Sequence, residues 1–380
     1  MHLLRKQLSA AVAAILLLPM TSCVHAPAAT EVDMSKPLAG TPAIDRPLGE
    51  TLHPDEVAAA DAIAAAIDAQ IRRRYAPGHA RRDAHPKAHG CVRAELQVLD
   101  TLPPALAQGI FVPGQRYSAW MRLSNGASDP DRSDAKPDAR GLALKVMGVP
   151  GRKLLADEAD AGTQDIIFIN HPVFFANDPN RYVAMVKAAG GEGMLGKLGI
   201  PLALGMRGAL IAFQTTRHKM SNPLHGQYFT MVPYALGAGP ERQAVKYSIR
   251  PCVVQPVRMP DKPGPDFLRA AMRDTLAAGD ACMELLVQPR TSDAMSVEDS
   301  MTEWDAARAP FIPVATIRIP RQVFDTPEQD AFCENLSFTP WHSLPEHRPL
   351  GVTNRIRRVV YEHVSRLRHE MNGAPRVEPE

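Results

Sequence analysis

The chain has 380 residues, 45% of them apolar, and a formal net charge of +2 at pH 7. That apolar content is ample for one large packed core, and the near-neutral charge argues against nucleic acid as the main partner. The 35 prolines are not confined to one tract and aromatic residues make up only 6%, which suggests long ordered loops rather than a helical bundle.

Arg5 and Lys6 precede an apolar run from Leu8 to Leu18. A positive segment followed by a short apolar one predicts an export signal, and the run is short for a transmembrane helix. Met20-Thr21-Ser22-Cys23 resembles a bacterial lipobox, in which Cys23 becomes the lipidated first residue. An ordinary cleaved signal with an incidental cysteine is the alternative. The expected organisation is an export signal over 1–23, a Pro-, Ala- and Thr-rich flexible tether over 24–52, and one folded domain over 53–380. The expected location is the periplasmic face of the membrane for a lipoprotein, and otherwise the periplasm.

A helix is predicted from about Pro54 to Arg74, with Ile63, Ile67 and Ile71 as its apolar stripe. Residues 91–170 read as strands: Val92, Ala94, Leu96 and Val98 alternate, and Gly and Pro clusters separate further strand-length runs. Tyr182 to Ala189 and Asp266 to Ala278 read as helices, while 226–250 and 283–320 return to strand-like patterns. Residues 193–213 are apolar apart from Lys197 and Arg207. They fit a surface for a membrane or partner, or a buried helix pair broken at Pro201. Cys91, Cys252, Cys282 and Cys333 form no Cys-x-x-Cys pair, so a zinc or redox motif is unsupported. Export would permit disulfides, and their apolar flanks fit buried thiols equally. The pattern as a whole suits an α+β fold built on an antiparallel barrel with surrounding helices.

Near the C-terminus, Arg357, Tyr361 and Arg368 are spaced by four and eleven residues from the first, which returns them to nearly one helix face. The array brackets a phenol between two guanidinium groups. A phenol ordinarily titrates near pH 10, so a phenolate at neutral pH needs positive charge beside it, which a ferric ion and an arginine supply together.

Other segments agree with this array in order along the chain. Arg82-Asp-Ala-His85-Pro-Lys87 resembles the Arg-x-x-His-x-Lys of catalases. Arg122-Leu-Ser124 resembles their Arg-Phe-Ser strand, and Asp138-Ala-Arg140-Gly-Leu-Ala-Leu-Lys145 their Asp-x-Arg-Gly-Phe-Ala-x-Lys. Asn170-His-Pro-Val-Phe-Phe175-Ala-Asn-Asp178 resembles Asn-Thr-Pro-x-Phe-Phe-x-x-Asp. The resemblance to the catalase superfamily covers roughly residues 70–370 and implies a haem b cofactor bound in a catalase-like barrel. It implies His85 as acid/base, Asn170 as the group holding peroxide and Ser124 as the partner fixing the imidazole. Tyr361 becomes the axial ligand of the haem iron, with Arg357 against its oxygen. Arg82, Arg122 and Arg368 pair with the haem propionates, and Phe175 and Tyr182 pack on the porphyrin.

The implied activity is decomposition of peroxides, as catalase or as a peroxidase using a small organic reductant. A fatty-acid hydroperoxide isomerase or dehydratase of the allene-oxide-synthase type is the enzymatic alternative, and a non-catalytic haem-binding envelope protein the other. Several residues have second readings. His85 and His89 could form a metal pair, and His89 could be the distal base. Arg122 could be a surface charge, and so could Arg140, which could instead brace a tight turn. Two departures stand out: Glu362 and His363 follow Tyr361 where catalases have Pro-Asp, and only nineteen residues follow it. The second implies a more open haem pocket.

Overall fold

The computed structural model of the protein describes residues 30–31, 43–191 and 193–379. The export signal, Cys23 and most of the segment read as a tether lie outside the described residues. Its last residues do not behave as a tether. Asp45 is ion-paired with Arg242 at 2.6 Å, and the buried Glu50 accepts from Arg348 at 2.7 Å and from Arg355 at 2.6 Å.

Eleven strands and six helices follow one another among the described residues. They are β1 (Thr30–Glu31), α1 (Glu56–Arg74), β2 (Ala88–Val98), β3 (Arg116–Asn125), β4 (Arg140–Met147), β5 (Thr163–Ile169), α2 (Pro179–Ala189), α3 (Gly193–Thr215), β6 (Tyr228–Phe229), β7 (Tyr234–Leu236), β8 (Gln243–Pro251), α4 (Phe267–Ala278), β9 (Ala281–Pro289), β10 (Ile312–Ile319), α5 (Pro327–Asn335), α6 (Val352–Asn372) and β11 (Val377–Glu378). The main sheet is antiparallel, in the order β6-β5-β4-β3-β2-β10-β9-β8-β7. The short β6 also pairs with β8, which closes an eight-stranded barrel and leaves β7 as a flap on β8. Closure removes the sheet edges that would otherwise invite pairing with other chains.

The barrel is filled by the alternating set the sequence predicts: Val92, Leu96 and Val98 are fully buried in it, beside Met121, Leu123, Leu144 and Tyr247. Alternation then sends the intervening residues outward. On the outer face of β3 and β4 the register pairs Ser124 with Gly141 and Arg122 with Ala143. Two very small residues on β4 leave a shallow bay in that wall. Helices α1, α2 and α6 cover it with a second apolar layer, in which Ile63, Ile67 and Ile71 meet Val186, Ile356 and Val360.

Three expectations are corrected. Helix α2 starts a turn earlier than predicted, because the Asp178 carboxylate caps it, accepting from Arg181 N at 2.9 Å, and Pro179 occupies its first position. Helix α3 breaks at Gly205 (φ +69°) rather than at Pro201, and the carbonyl of Leu204 accepts from Arg181 Nη1 at 3.1 Å. Its outer face is not buried. Segment 290–311 carries no strand, and its length is spent in loops. The cysteines are paired, Cys91 with Cys333 and Cys252 with Cys282. The first pair ties α5 to the outside of β2.

Behind the sheet, Lys145 is fully buried and held by Asp165 at 2.7 Å and by Glu378 at 2.6 Å. Burial works against ionisation of Glu378, but Lys145 and His342 outweigh it and hold the carboxyl down at about 2. The Lys of the Arg140–Lys145 segment therefore anchors β11 to the barrel. No helix of the described residues is long and apolar enough to cross a membrane.

Candidate active site

Between the outer face of β3–β5 and helices α1, α2, α3 and α6 lies a cavity of about 690 Å³. Seven predicted residues share its lining: His85, Ser124, Arg82, Arg122, Tyr361, Arg357 and Arg368. Phe175 and Tyr182 line it as well. Asn170 is not among the lining residues. Its Oδ1 accepts from the Arg140 backbone N at 2.7 Å, and its Nδ2 is buried without a partner.

His85 sits in the loop before β2 with a left-handed backbone (φ +62°). That conformation costs a non-glycine residue about 1–3 kcal/mol and persists only where neighbours enforce it. Arg122 Nη2 donates to its carbonyl at 2.8 Å, and its own N–H donates to Gly126 O at 3.3 Å. The imidazole Nδ1 shares a hydrogen bond of 3.0 Å with Ser124 Oγ. The ring lies deep in the molecule yet keeps partial exposure, because it faces the cavity. Burial, then the charge of Arg122, push its pKa down to about 4, so it is neutral at pH 7.

Gly141 makes this placement possible. A Cβ there would fall 2.5 Å from His85 Cε1 and Nδ1 and 3.1 Å from Ser124 Oγ. A glycine inside a strand often marks close approach by another group, and here that group is the imidazole. Gly141→Ala is expected to retain the fold at a cost of about 1–3 kcal/mol from overpacking. It should slow any reaction that uses the imidazole by about 10²-fold, the usual penalty for displacing a reacting group by about 1 Å. Thermal unfolding beside stopped-flow rates checks the split.

His89 is elsewhere. It is 1% exposed, off the cavity, with Nδ1 3.8 Å from Asp134 Oδ2. Lys87 pairs with Asp134 at 3.0 Å and Asp266 at 2.8 Å. Arg140 donates to Asn125 Oδ1 and to Asp134 O, which makes it the brace of the 126–139 loop rather than a surface charge. Among the described residues no three His, Cys, Asp or Glu are placed to hold a metal ion together.

On the helical wall, Arg357 Nη2 donates to Tyr361 Oη at 3.1 Å, and Nη1 donates to Asn354 Oδ1 at 3.1 Å. Burial disfavours the charge on Arg357, but Tyr361 and Tyr234 outweigh it and hold the guanidinium firmly protonated. The departures after Tyr361 have docking roles. Glu362 lies 3.8 Å from Arg358, with its carboxyl pushed by burial up to about 7, and His363 Nε2 meets Asp68 of α1 at 3.1 Å.

Arg82, Arg122 and Arg368 gather at one side of the cavity. Arg82 pairs with Glu334 at 2.9 Å, and Arg368 donates to the carbonyls of Glu334 and Leu336 and to Ser337 Oγ. Arg122 is 4% exposed, and its Nε has no hydrogen-bond partner. Burial, then the charge of Arg82, lower the pKa of both Arg122 and Arg368, the latter to about 9. Three cations and a single ion-paired carboxylate make this a place for an anionic ligand. Sequence reading passed over Asp83, Ser337 and Phe338, which also line the cavity. The carboxyl of Asp83 is pushed up by burial. An acidic residue between Arg82 and His85 was the available signal for it.

The residues present fit a haem. There is a cavity of about 690 Å³, a phenol with an arginine on its oxygen, an imidazole, aromatic rings and surplus guanidinium groups for two carboxylates. Residues 73–193 match the family described as Catalase. A fungal catalase superposes with a TM-score of 0.63 at 17% identity, covering 90% of this chain and 68% of its own. Catalase A from Saccharomyces cerevisiae gives 0.61 at 17%, covering 90% and 70%. A bacterial catalase gives 0.54 at 16%, covering 82% and 62%. No curated protein matches the sequence. At 16–17% identity these structures show that the chain has a catalase-like fold, and the family match adds sequence similarity to catalases over residues 73–193.

Proposed function

We propose that this chain is a haem b-dependent peroxide-decomposing enzyme of the bacterial cell envelope. The observation that carries the reading is the convergence of His85–Ser124, Arg357–Tyr361 and the three arginines on one cavity. Tyr361 would ligate the iron as a phenolate, with Arg357 holding its charge through the 3.1 Å hydrogen bond. Arg82, Arg122 and Arg368 would meet the two propionates, giving Arg122 Nε the partner it lacks. The haem would supply a redox centre for oxidation by peroxide.

The protein's own contribution is proton handling and shape. With Nδ1–H donating to Ser124, Nε2 of His85 is unprotonated and free to take the proton from one peroxide oxygen and return it to the leaving oxygen. The Arg140 N–H fixes Asn170 Oδ1 and leaves its buried, unpartnered Nδ2 as the donor that would hold a peroxide, with His85 as the acid/base.

Phe174, Phe175, Tyr182, Ile200 and Met231 give the cavity an apolar lining. Val173 is buried behind them. Each methylene buried there contributes about 0.8 kcal/mol, so alkyl and lipid hydroperoxides gain over hydrogen peroxide. The test is the ratio of second-order rate constants for cumene hydroperoxide and hydrogen peroxide, with oxygen release followed in parallel. The expected ratio exceeds one. A strong preference for hydrogen peroxide with vigorous oxygen release makes the protein a true catalase instead.

The envelope assignment is supported by the signal-like pattern of residues 1–23. Cys23→Ala is expected to abolish metabolic labelling with a fatty acid. Labelling that survives, or a mature N-terminus beyond Cys23, contradicts lipid anchoring.

A further inference from the structure

Helix α3 carries a second, separate feature. Leu202, Met206, Leu210 and Phe213 are 84%, 91%, 55% and 57% exposed. Met206, Leu210 and Phe213 recur at the spacing of one helix face beyond the Gly205 break, and Leu202 extends the stripe before it. Three large apolar side chains on one helix face, with a fourth exposed before the break, are unlike the scattered single residues usual on soluble proteins.

Along the sequence, helix α3 and the segment after it carry charges of one sign. From residue 193 to 240 the chain contains no Asp or Glu, while Lys197, Arg207, Arg217 and Lys219 all fall there. The Arg217 guanidinium lies over the Phe213 ring, 4.9 Å from its centroid, which keeps a cation at the stripe's end. Arg207 is fastened to the body by bonds to Met301 O and Thr302 Oγ1, so the helix is held in place rather than hanging free. An apolar face flanked by cations is the composition of a helix that lies in a lipid interface.

The opposite face of α3 belongs to the cavity wall, through Ile200, Ala212, Thr215 and Thr216. The apolar stripe and the cavity are thus two sides of one helix. The chain outside the described residues points to the same neighbour. Its apolar run Leu8–Leu18 and Cys23 come before β1, Cys23 by seven residues, a reach of at most about 25 Å.

We propose that the outer face of α3 is a membrane-docking surface that lies in an anionic phospholipid leaflet and turns the cavity wall toward it. This contact is distinct from any anchor at Cys23 and does not depend on haem. A neutral interior replaces water around the four apolar side chains, and the cations meet lipid phosphates at the rim.

The test uses the full chain with Cys23→Ser, so that lipidation is absent and the remaining cysteines are in disulfides. An environment-sensitive dye is attached through Met206→Cys, or, as a control, through Val323→Cys, which is also exposed. Vesicles of phosphatidylcholine and phosphatidylglycerol are then added. The dye at position 206 is expected to brighten and move to shorter wavelength, and the dye at 323 to stay unchanged. Lys219→Gln should weaken vesicle affinity about fivefold, with raised salt acting in the same direction. No response at 206, equal responses at both positions, or an equal response to phosphatidylcholine alone overturns the proposal. A change at 206 that grows with protein concentration in the absence of vesicles also overturns it, since a second copy then covers the face.

Discussion

His85→Ala is expected to bind haem as the parent chain does and to react with hydrogen peroxide about 10²–10⁴-fold more slowly, the usual contribution of a positioned acid/base. The imidazole is held in a left-handed backbone by Arg122 and Gly126, oriented by Ser124 Oγ and fitted into the space left by Gly141. Each constraint serves to place a neutral ring at the cavity wall. Neutrality has a pH signature. Burial and Arg122 lower the imidazole pKa to about 4, so the accepting form persists through the neutral range. The parent rate should be flat from pH 7 downward and fall only as the pH approaches 4, where the ring takes a proton and can no longer accept one. His89→Ala should be far milder, because that ring is buried away from the cavity beside Asp134. Stopped-flow rates for the two variants across pH decide the matter, and a larger loss from His89→Ala moves the acid/base to that residue.

The barrel was legible because its strands alternate on a clear period of two: Val92, Ala94, Leu96 and Val98 point inward as expected. Closure was not legible. It depends on the two-residue β6 pairing with both β5 and β8, and so short a strand carries no period. The same alternation held half the site. Arg122 and Ser124 share the outer face of β3, and their two-residue spacing announced this, whereas Gly141 opposite them read as the start of a strand-length run or as the residue after Arg140 in a tight turn. Its meaning comes from His85, which is distant in sequence and arrives from a loop. The helical half was clearer, since Arg357 and Tyr361 one turn apart must meet. The surplus of charge around Arg82, Arg122 and Arg368 is a tertiary property, created when β3, α6 and the loop before β2 converge. Helix α3 misled for a related reason: its composition resembles a core, and only the docking of α2 on one side shows that the other side is uncovered.

Tyr361→Phe is the second large effect expected. The substitution keeps the ring and its packing but removes the oxygen that accepts from Arg357 at 3.1 Å. Arg357 retains Asn354 as a partner, so the wall should stand, and an unchanged unfolding temperature to within a few degrees would verify that. On the proposed reading, the haem iron would lose its phenolate ligand. Most haem should therefore be lost, or its ligation changed, with peroxide turnover falling accordingly. The absorption spectrum and haem stoichiometry of parent and Tyr361→Phe proteins, loaded with ferric haem side by side, test the central claim most directly. The account predicts a high-spin ferric spectrum of tyrosinate type and one haem per parent chain, with both lost in the variant. An identical spectrum and stoichiometry in the two proteins would contradict it.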